Sequence, residues 1–383
     1  MVSILRTLQS DWNALVPAAT ALGIRRVRVL GNGNPDMSRW PLETIEYRRN
    51  KLDWLRGEIA RLGGATQRAQ STTSLTPVQE QDLSVLTFGV ELELLMPRGI
   101  NHATLASRID AHTGIPCYSE GYNHNNVPHW KVVTDGSLGD YSRGAEVVSP
   151  VLRGAHGFDQ LNRICQALKV IGCTVTKKCG LHVHVGAQGW SVDTVKNLVA
   201  LYHSAEGTID AFMAPSRRGS QGGNGFCGSI RLRPQMLRDA TTWDTVAQAI
   251  GQTPGRHNAR GGGRYCKLNL QSYWQHGTVE FRHHQGTVEA DKAVNWVKTC
   301  LRMALAAQDG VHAAASHEEF FAVIKSPSAE AAFFASRRDF FITQATRTMR
   351  NSMLAQARRE AGRNTFEEVG NDLQTRSTTR NQY

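Results

Sequence analysis

Apolar and polar residues alternate one for one in a few short stretches of the chain. Elsewhere the apolar positions recur every three to four residues. Thr87-Phe-Gly-Val-Glu-Leu-Glu-Leu-Leu95 alternates strictly and predicts a strand. Trp130–Val133, Ala145–Val148, Leu181–Val185, Lys267–Leu270 and Thr278–Arg282 predict five more. Between them, helical spacing predicts helices over 102–112, around Phe158, Leu161, Ile164 and Leu168, and around Val192, Val195, Val199, Tyr202 and Ile209. Further helices are predicted from Ala290 to about Ala307 and over 317–356. This mixture predicts an α+β domain over 83–350, with a largely antiparallel curved sheet and helices on its outer face.

The ends read differently. Leu5, Leu8, Trp12 and Leu15 repeat at helical spacing, as do Leu52, Leu55 and Ile59, so residues 1–62 predict a small helical unit. It reads either as a docking or nucleic-acid module or as a helical hairpin packed on the main domain. Residues 63–82 are rich in Ser, Thr and Gln and carry Pro77, which predicts a linker. Residues 351–383 predict a helix end and a polar, loosely ordered tail.

Composition narrows the class. The chain has 383 residues, 40% hydrophobic and 20% charged, enough apolar content for a packed core. No apolar run approaches the ~18–20 residues that span a bilayer, and the first residues lack a signal-peptide pattern. The expectation is a soluble cytoplasmic protein with no membrane partner. The formal charge of +11 suits acidic partners such as nucleotides, but the basic residues are scattered rather than blocked. Seven cysteines without a CxxC pair read as reduced thiols, none of them a marked nucleophile. Two glycine-rich segments, 218–226 and 259–264, read equally as flaps over a site or as surface loops. Neither fits the GxxxxGK[ST] phosphate loop.

The candidate chemistry lies on strands, in positions that strands normally give to core residues. Period-2 geometry puts Glu91 and Glu93 on one face, opposite Phe88, Val90, Leu92 and Leu94. Two carboxylates so placed repel unless solvent or a cation compensates, and Mg²⁺ or Mn²⁺ suits their hard oxygens. Glu146 sits between two apolar residues of its strand. His182 and His184 share a face, a good ligand pair, and so do Glu280 and Arg282. Each of these alone also has a plain reading, as a solvated face, structural histidines or a cross-strand ion pair. Together they describe a sheet face that binds metals and polyphosphate, with Arg282 to neutralise charge in phosphoryl transfer.

Six segments occur in an order that resembles the amidoligases, a family of the glutamine synthetase and glutamate–cysteine ligase fold. They are TFGVELELLMP, WKVVTDGSL, AEVVSPVLRG, GLHVHVG, APSRR with GFCGS, and GTVEFRHHQGT, and they span about residues 85–300. The resemblance implies an ATP-dependent carboxylate–amine ligase that makes an acyl phosphate with Mg²⁺ or Mn²⁺. Its substrates would be small-molecule or peptide carboxylates and amines. By motif, Glu91, His182 and Glu280 would hold the metal at the ATP γ-phosphate, and Glu93 and Glu146 one nearer the acyl substrate. Arg282 would stabilise the transferring phosphoryl group, with Glu280 and His184 in the catalytic set. His184 would lie beside nucleotide or substrate, and Arg217 and Arg218 would bind phosphate or carboxylate. Trp130, Asp135 and Ser137 would shape the acceptor pocket, and Asn269 would contact substrate. Lys131 and Lys267 are further candidate anion binders, and Glu289 a candidate acid for the amine proton. Oligomers occur in that fold.

Two other readings of the residues stand beside the ligase. A metal-dependent hydrolase would use His182, His184 and the carboxylates to activate water. A catalytically silent module would bind protein or nucleic acid, but aromatics are only 7% and the acidic strand faces repel phosphate without metal.

Overall fold

The computed structural model describes residues 82–353 except 124, 139–141, 219–224, 256–262 and 350. The chain divides after Gln79, and the described residues all belong to the unit Glu80–Tyr383. The expected N-terminal unit, nearly all of the expected linker, most of both glycine-rich segments and the polar tail lie outside the described residues.

An eight-stranded mixed sheet organises the domain. Its strands are β1 (Thr87–Leu95), β2 (Cys117–Gly121), β3 (Trp130–Val133), β4 (Gly144–Val148), β5 (Leu152–Arg153), β6 (Gly180–Gly186), β7 (Leu268–Asn269) and β8 (Thr278–Gln285). Their order is β2-β3-β4-β1-β6-β8-β7, with β5 pairing beside β1. Every pairing is antiparallel except β2 with β3. The strand β1 sits inside the sheet, between β4 and β6, and that position brings residues of distant segments opposite one another. Where β6 meets β8 the register slips: Val183 faces Phe281 but Leu181 faces His284. Arg282 and His283 therefore both oppose His182, a β-bulge.

Helices cover one face. The principal ones are α1 (His102–Thr113), α2 (Gly154–Ile171), α3 (Val192–Phe212) and α7 (Ala290–Gln308). Shorter helices are α4 (Pro234–Asp239), α5 (Trp243–Ala249), α6 (Ser272–His276) and α8 (His317–Val323). Asn101 and Ser191 cap α1 and α3, each accepting a hydrogen bond from the backbone N–H three residues on. Phe88, Val90, Leu92 and Leu94 of β1 are buried in one core with Leu181, Val183 and Val185 of β6, Val279 and Phe281 of β8 and the inner sides of these helices. Period 2 thus sends one set of side chains to the helices and leaves the other face for polar residues. Phe281 fills the core beside Tyr202. Phe281→Ala is expected to cost about 3–5 kcal/mol, read as a lower urea midpoint in equilibrium unfolding.

The single helix expected over 317–356 is instead α8 followed, among the described residues, by helical residues 328–349 and 351–353. The break has a local cause. Lys325 takes φ 51°, and Pro327 has no N–H to continue the ladder.

Candidate functional site

Strand register builds the site. Glu91 pairs opposite His182, Glu93 opposite Glu146, His184 opposite Glu280, and Asn269 opposite Glu280. Five strands, β1, β4, β6, β7 and β8, thereby deliver their polar residues to one patch. His182 Nδ1 lies 2.9 Å from Glu91 Oε2 and 3.6 Å from Glu280 Oε1, and its Nε2 is 3.5 Å from Glu93 Oε1. His184 Nδ1 bonds Thr278 Oγ1 at 2.9 Å, which turns Nε2 to within 3.2 Å of Glu91 Oε1. Arg282 Nη1 donates to Glu280 Oε1 at 2.5 Å, and Asn269 Nδ2 donates to Glu280 Oε2 at 2.6 Å. Gly180 N donates to Glu93 Oε2 at 2.6 Å. A Cβ at Gly180 would stand 2.7 Å from Arg217 Nη2 and 2.9 Å from His182 Nε2, so glycine is what lets the buried Arg217 close on this end.

The electrostatics follow from crowding. Burial pushes the Glu91 carboxyl up, but the His184 and His182 rings outweigh it and hold Glu91 well below the usual range. Burial acts likewise on Glu280, and Arg282 with the two histidines brings it down to about 2. Burial lowers His184, but Glu91 and Glu280 raise it overall. Glu146 goes the other way: burial first, then the charges of Glu91, Glu93 and Asp135, push it well above the ordinary value. A protein without cations cannot ionise all of these carboxylates cheaply.

That is the test of whether a metal fits. Glu91, His182 and Glu280 each offer a ligand atom, and these atoms lie within 4.8 Å of one another. Two carboxylates and an imidazole suit Mn²⁺ and, with more oxygen donors, Mg²⁺. Glu93 and Glu146 form an adjacent acidic pair, opposite each other on β1 and β4. The donor set fits a divalent ion, and the raised Glu146 shows the charge it would compensate. A cation favours ionised Glu146, so metal binding is expected to release protons over the pH range in which Glu146 titrates and to tighten as pH rises. Calorimetry in buffers of different ionisation enthalpy reads the release. The sign for metal-free stability is opposite. Glu146 binds its proton more tightly folded than unfolded, so its contribution is present at low pH and is lost as pH rises through its raised folded value.

A cavity of about 730 Å³ opens from Glu91, Glu146 and His184. Lys131 and Gly89 line it, with Val151 and Trp190 among its apolar walls. Burial lowers the Lys131 amine, whose Nζ donates to Asn123 O at 2.8 Å and Asn125 O at 2.6 Å.

Several expected residues lie elsewhere. Trp130 does not reach this face. Alternation along β3 gives Lys131 and Val133 to the cavity, while Trp130 is buried on the helix side and donates to Gln160 Oε1 of α2 at 2.8 Å. Asn269 is occupied in orienting Glu280, and its Oδ1 accepts from Gln271 N. Asp135 accepts from the Ser137 N–H and hydroxyl, so this pair shapes the turn after β3, with the Asp135 charge reaching Glu146. Arg217 joins the site, but Arg218 donates to Met213 O and lies over the Phe341 ring. Lys267 is an ion-pair partner of Glu206 and Asp210 in α3, and Glu289 pairs on the surface with Lys169. Neither faces the carboxylates. Thr278 and Gly89 were not singled out from the sequence, although the alternation that joins Glu280 to Arg282 also brings in Thr278. All seven cysteines are buried free thiols, with Cys165 and Cys266 each pushed up to about 12 by burial.

A protein-family model described as "Putative amidoligase enzyme" matches residues 84–304, more than half the chain. The chain belongs to this family. No curated protein matches it. The amidoligase match contains every residue of the sheet-face cluster, and membership points to an enzyme of the ligase class. Among the described residues, no helix is long and apolar enough to cross a membrane.

Proposed function

We propose that this protein is an ATP-dependent carboxylate–amine ligase that works through an acyl phosphate. The proposal includes the glutamine synthetase and glutamate–cysteine ligase fold, cytoplasmic location, and small-molecule or peptide carboxylate and amine substrates. One observation carries it. A single sheet face of an amidoligase-family chain gathers the metal-compatible Glu91, His182 and Glu280 beside buried arginines. Arg282 Nε and Arg217 Nε have no hydrogen-bond partner among the described residues, and buried cationic donors of that kind suit a phosphate.

Glu91, His182 and Glu280 would hold one divalent cation, and Glu93 with Glu146 a second. Bound Mg²⁺ or Mn²⁺ would neutralise charge on the phosphate and carboxylate oxygens that meet here. A carboxylate oxygen of the acyl substrate attacks the γ-phosphorus of ATP, the bond to the β,γ-bridging oxygen breaks, and ADP leaves. An amine nitrogen then attacks the acyl carbon, phosphate leaves, and the nitrogen loses its proton. Arg282 and Arg217 offer N–H donors to the transferring phosphoryl oxygens, and His184 Nε2 lies against Glu91. The cavity receives substrate at the Glu91–Glu146 end, and its partly apolar walls limit water there, which matters because an acyl phosphate hydrolyses.

The test is release of ADP and phosphate with Mg²⁺ and ATP over pools of amino acids and amines. Turnover is expected to require both a carboxylate and an amine, and to vanish in Glu91→Gln. Phosphate release that needs neither substrate would point to a hydrolase. Absence of nucleotide binding, with or without metal, would sink the ligase and leave a binding module.

A further inference from the structure

Behind the site, on the helix side of the sheet, lies a second polar cluster that the proposed chemistry does not use. His283 is fully buried. Its Nδ1 lies 2.7 Å from Tyr202 Oη and its Nε2 2.6 Å from Asp210 Oδ1. Asp210 Oδ1 also accepts from Lys267 Nζ at 2.8 Å, and Lys267 reaches Glu206 at 2.7 Å. Tyr202, Glu206 and Asp210 follow one another at four-residue spacing along one side of α3. Burial drives the His283 ring to about 4, so it is neutral at pH 7. A neutral ring with a carboxylate at Nε2 has one arrangement: Nε2–H donates to Asp210, and Nδ1 accepts the Tyr202 hydroxyl proton.

The cluster grips the sheet at the bulge. Arg282 and His283 together oppose His182, and alternation along β8 turns Arg282 to Glu280 and His283 to α3. The Arg282 backbone is held as well, its N–H donating to Lys267 O at 2.8 Å. Lys267 thus binds the bulge through its carbonyl and α3 through its amine. Buried ionic networks are seldom more stabilising than apolar packing of equal volume, so their gain is sought in geometry.

We infer that His283 and Asp210 are a positioning pair that fixes the bulge of β8 and thereby aims the Arg282 guanidinium at Glu280 and the phosphate site. This rests on the reading of Arg282 as a phosphoryl-binding group.

The test reads Arg282 directly and then its ligand. In ligand-free protein with labelled arginine, the Arg282 Nε–H signal is expected to exchange with water at least about tenfold faster in His283→Phe than in wild type. Asp210→Asn, which keeps a carbonyl for the ring N–H, is expected to restore most of the protection relative to Asp210→Ala. Tyr202→Phe removes one bond alone and serves if His283→Phe does not fold. In binding, His283→Phe is expected to weaken Mg·ATP about tenfold in wild type and less than about twofold in an Arg282→Ala background. Equal losses in both backgrounds, or an Arg282 signal indifferent to His283, would overturn the inference. An Arg282 signal that responds to His283 in a protein with no Mg·ATP affinity would uphold the positioning pair and reject the nucleotide reading.

Discussion

Glu280→Gln is expected to lower the proposed ATP turnover by at least about 100-fold, because it removes an anionic donor from the metal-compatible trio. The side chain keeps its size, so the loss is chemical rather than a matter of packing. Both Glu280 oxygens are in use: Oε1 accepts from Arg282 and Oε2 from Asn269. An amide has only one acceptor end, so one of those two buried donors then faces an NH₂ group. That mismatch is expected to cost about 1–3 kcal/mol in the metal-free protein. Stabilisation by Mn²⁺ or Mg²⁺, which grows with concentration once binding begins, is expected to shrink in step. Initial rates together with thermal melts over a metal titration separate the two effects. A variant with wild-type turnover and wild-type metal stabilisation would remove Glu280 from the site.

The second large effect is expected from Arg282→Ala. Loss of a guanidinium that stabilises a transferring phosphoryl group typically costs about 10³-fold or more in rate. The stability effect is more diagnostic. Arg282 is the leading cause that offsets burial and keeps Glu280 down at about 2, and without it Glu280 remains buried against His182, His184 and Asn269 alone. Breaking a buried pair in this way is expected to cost about 3–5 kcal/mol in the metal-free protein. The pH sign follows from the depressed value. In wild type the Glu280 contribution is complete above its unfolded value and is lost as pH falls through about 2. The gap between variant and wild type is therefore widest near pH 7 and narrows in acid, as the variant's carboxyl protonates earlier. A divalent ion supplies part of the missing positive charge, so saturating Mn²⁺ narrows the gap at pH 7. Chemical denaturation at several pH values, with and without Mn²⁺, checks all three statements.

The legible part of this protein is what depends on local period. Alternation along 87–95 places Glu91 with Glu93 against a buried face, and the structure has them there because Phe88, Val90, Leu92 and Leu94 can only go to the helices. The same rule joins His182 to His184. It also argues against Trp130 as a substrate contact, since Trp130 shares a face with Val132 while Lys131 lines the cavity. The motif assigns Trp130 to the site, but the pleat turns it to the helices, where it bonds Gln160. Arg217 and Arg218 show a different limit. They are neighbours in a short turn, and only the packing of Arg217 against Gly180, and of Arg218 on Phe341, tells them apart.

The sequence by itself determined the α+β class, the strand faces and the residue types of the candidate site, because side-chain direction along a strand is a two-residue property. Tertiary structure decided which strands are neighbours, and with that the meeting of Glu91 with His182, Glu93 with Glu146 and Asn269 with Glu280. It also decided the β8 bulge, where Arg282 and His283 together oppose His182. Pairing and register come from the joint burial of segments far apart in the chain, and no local pattern records that free energy.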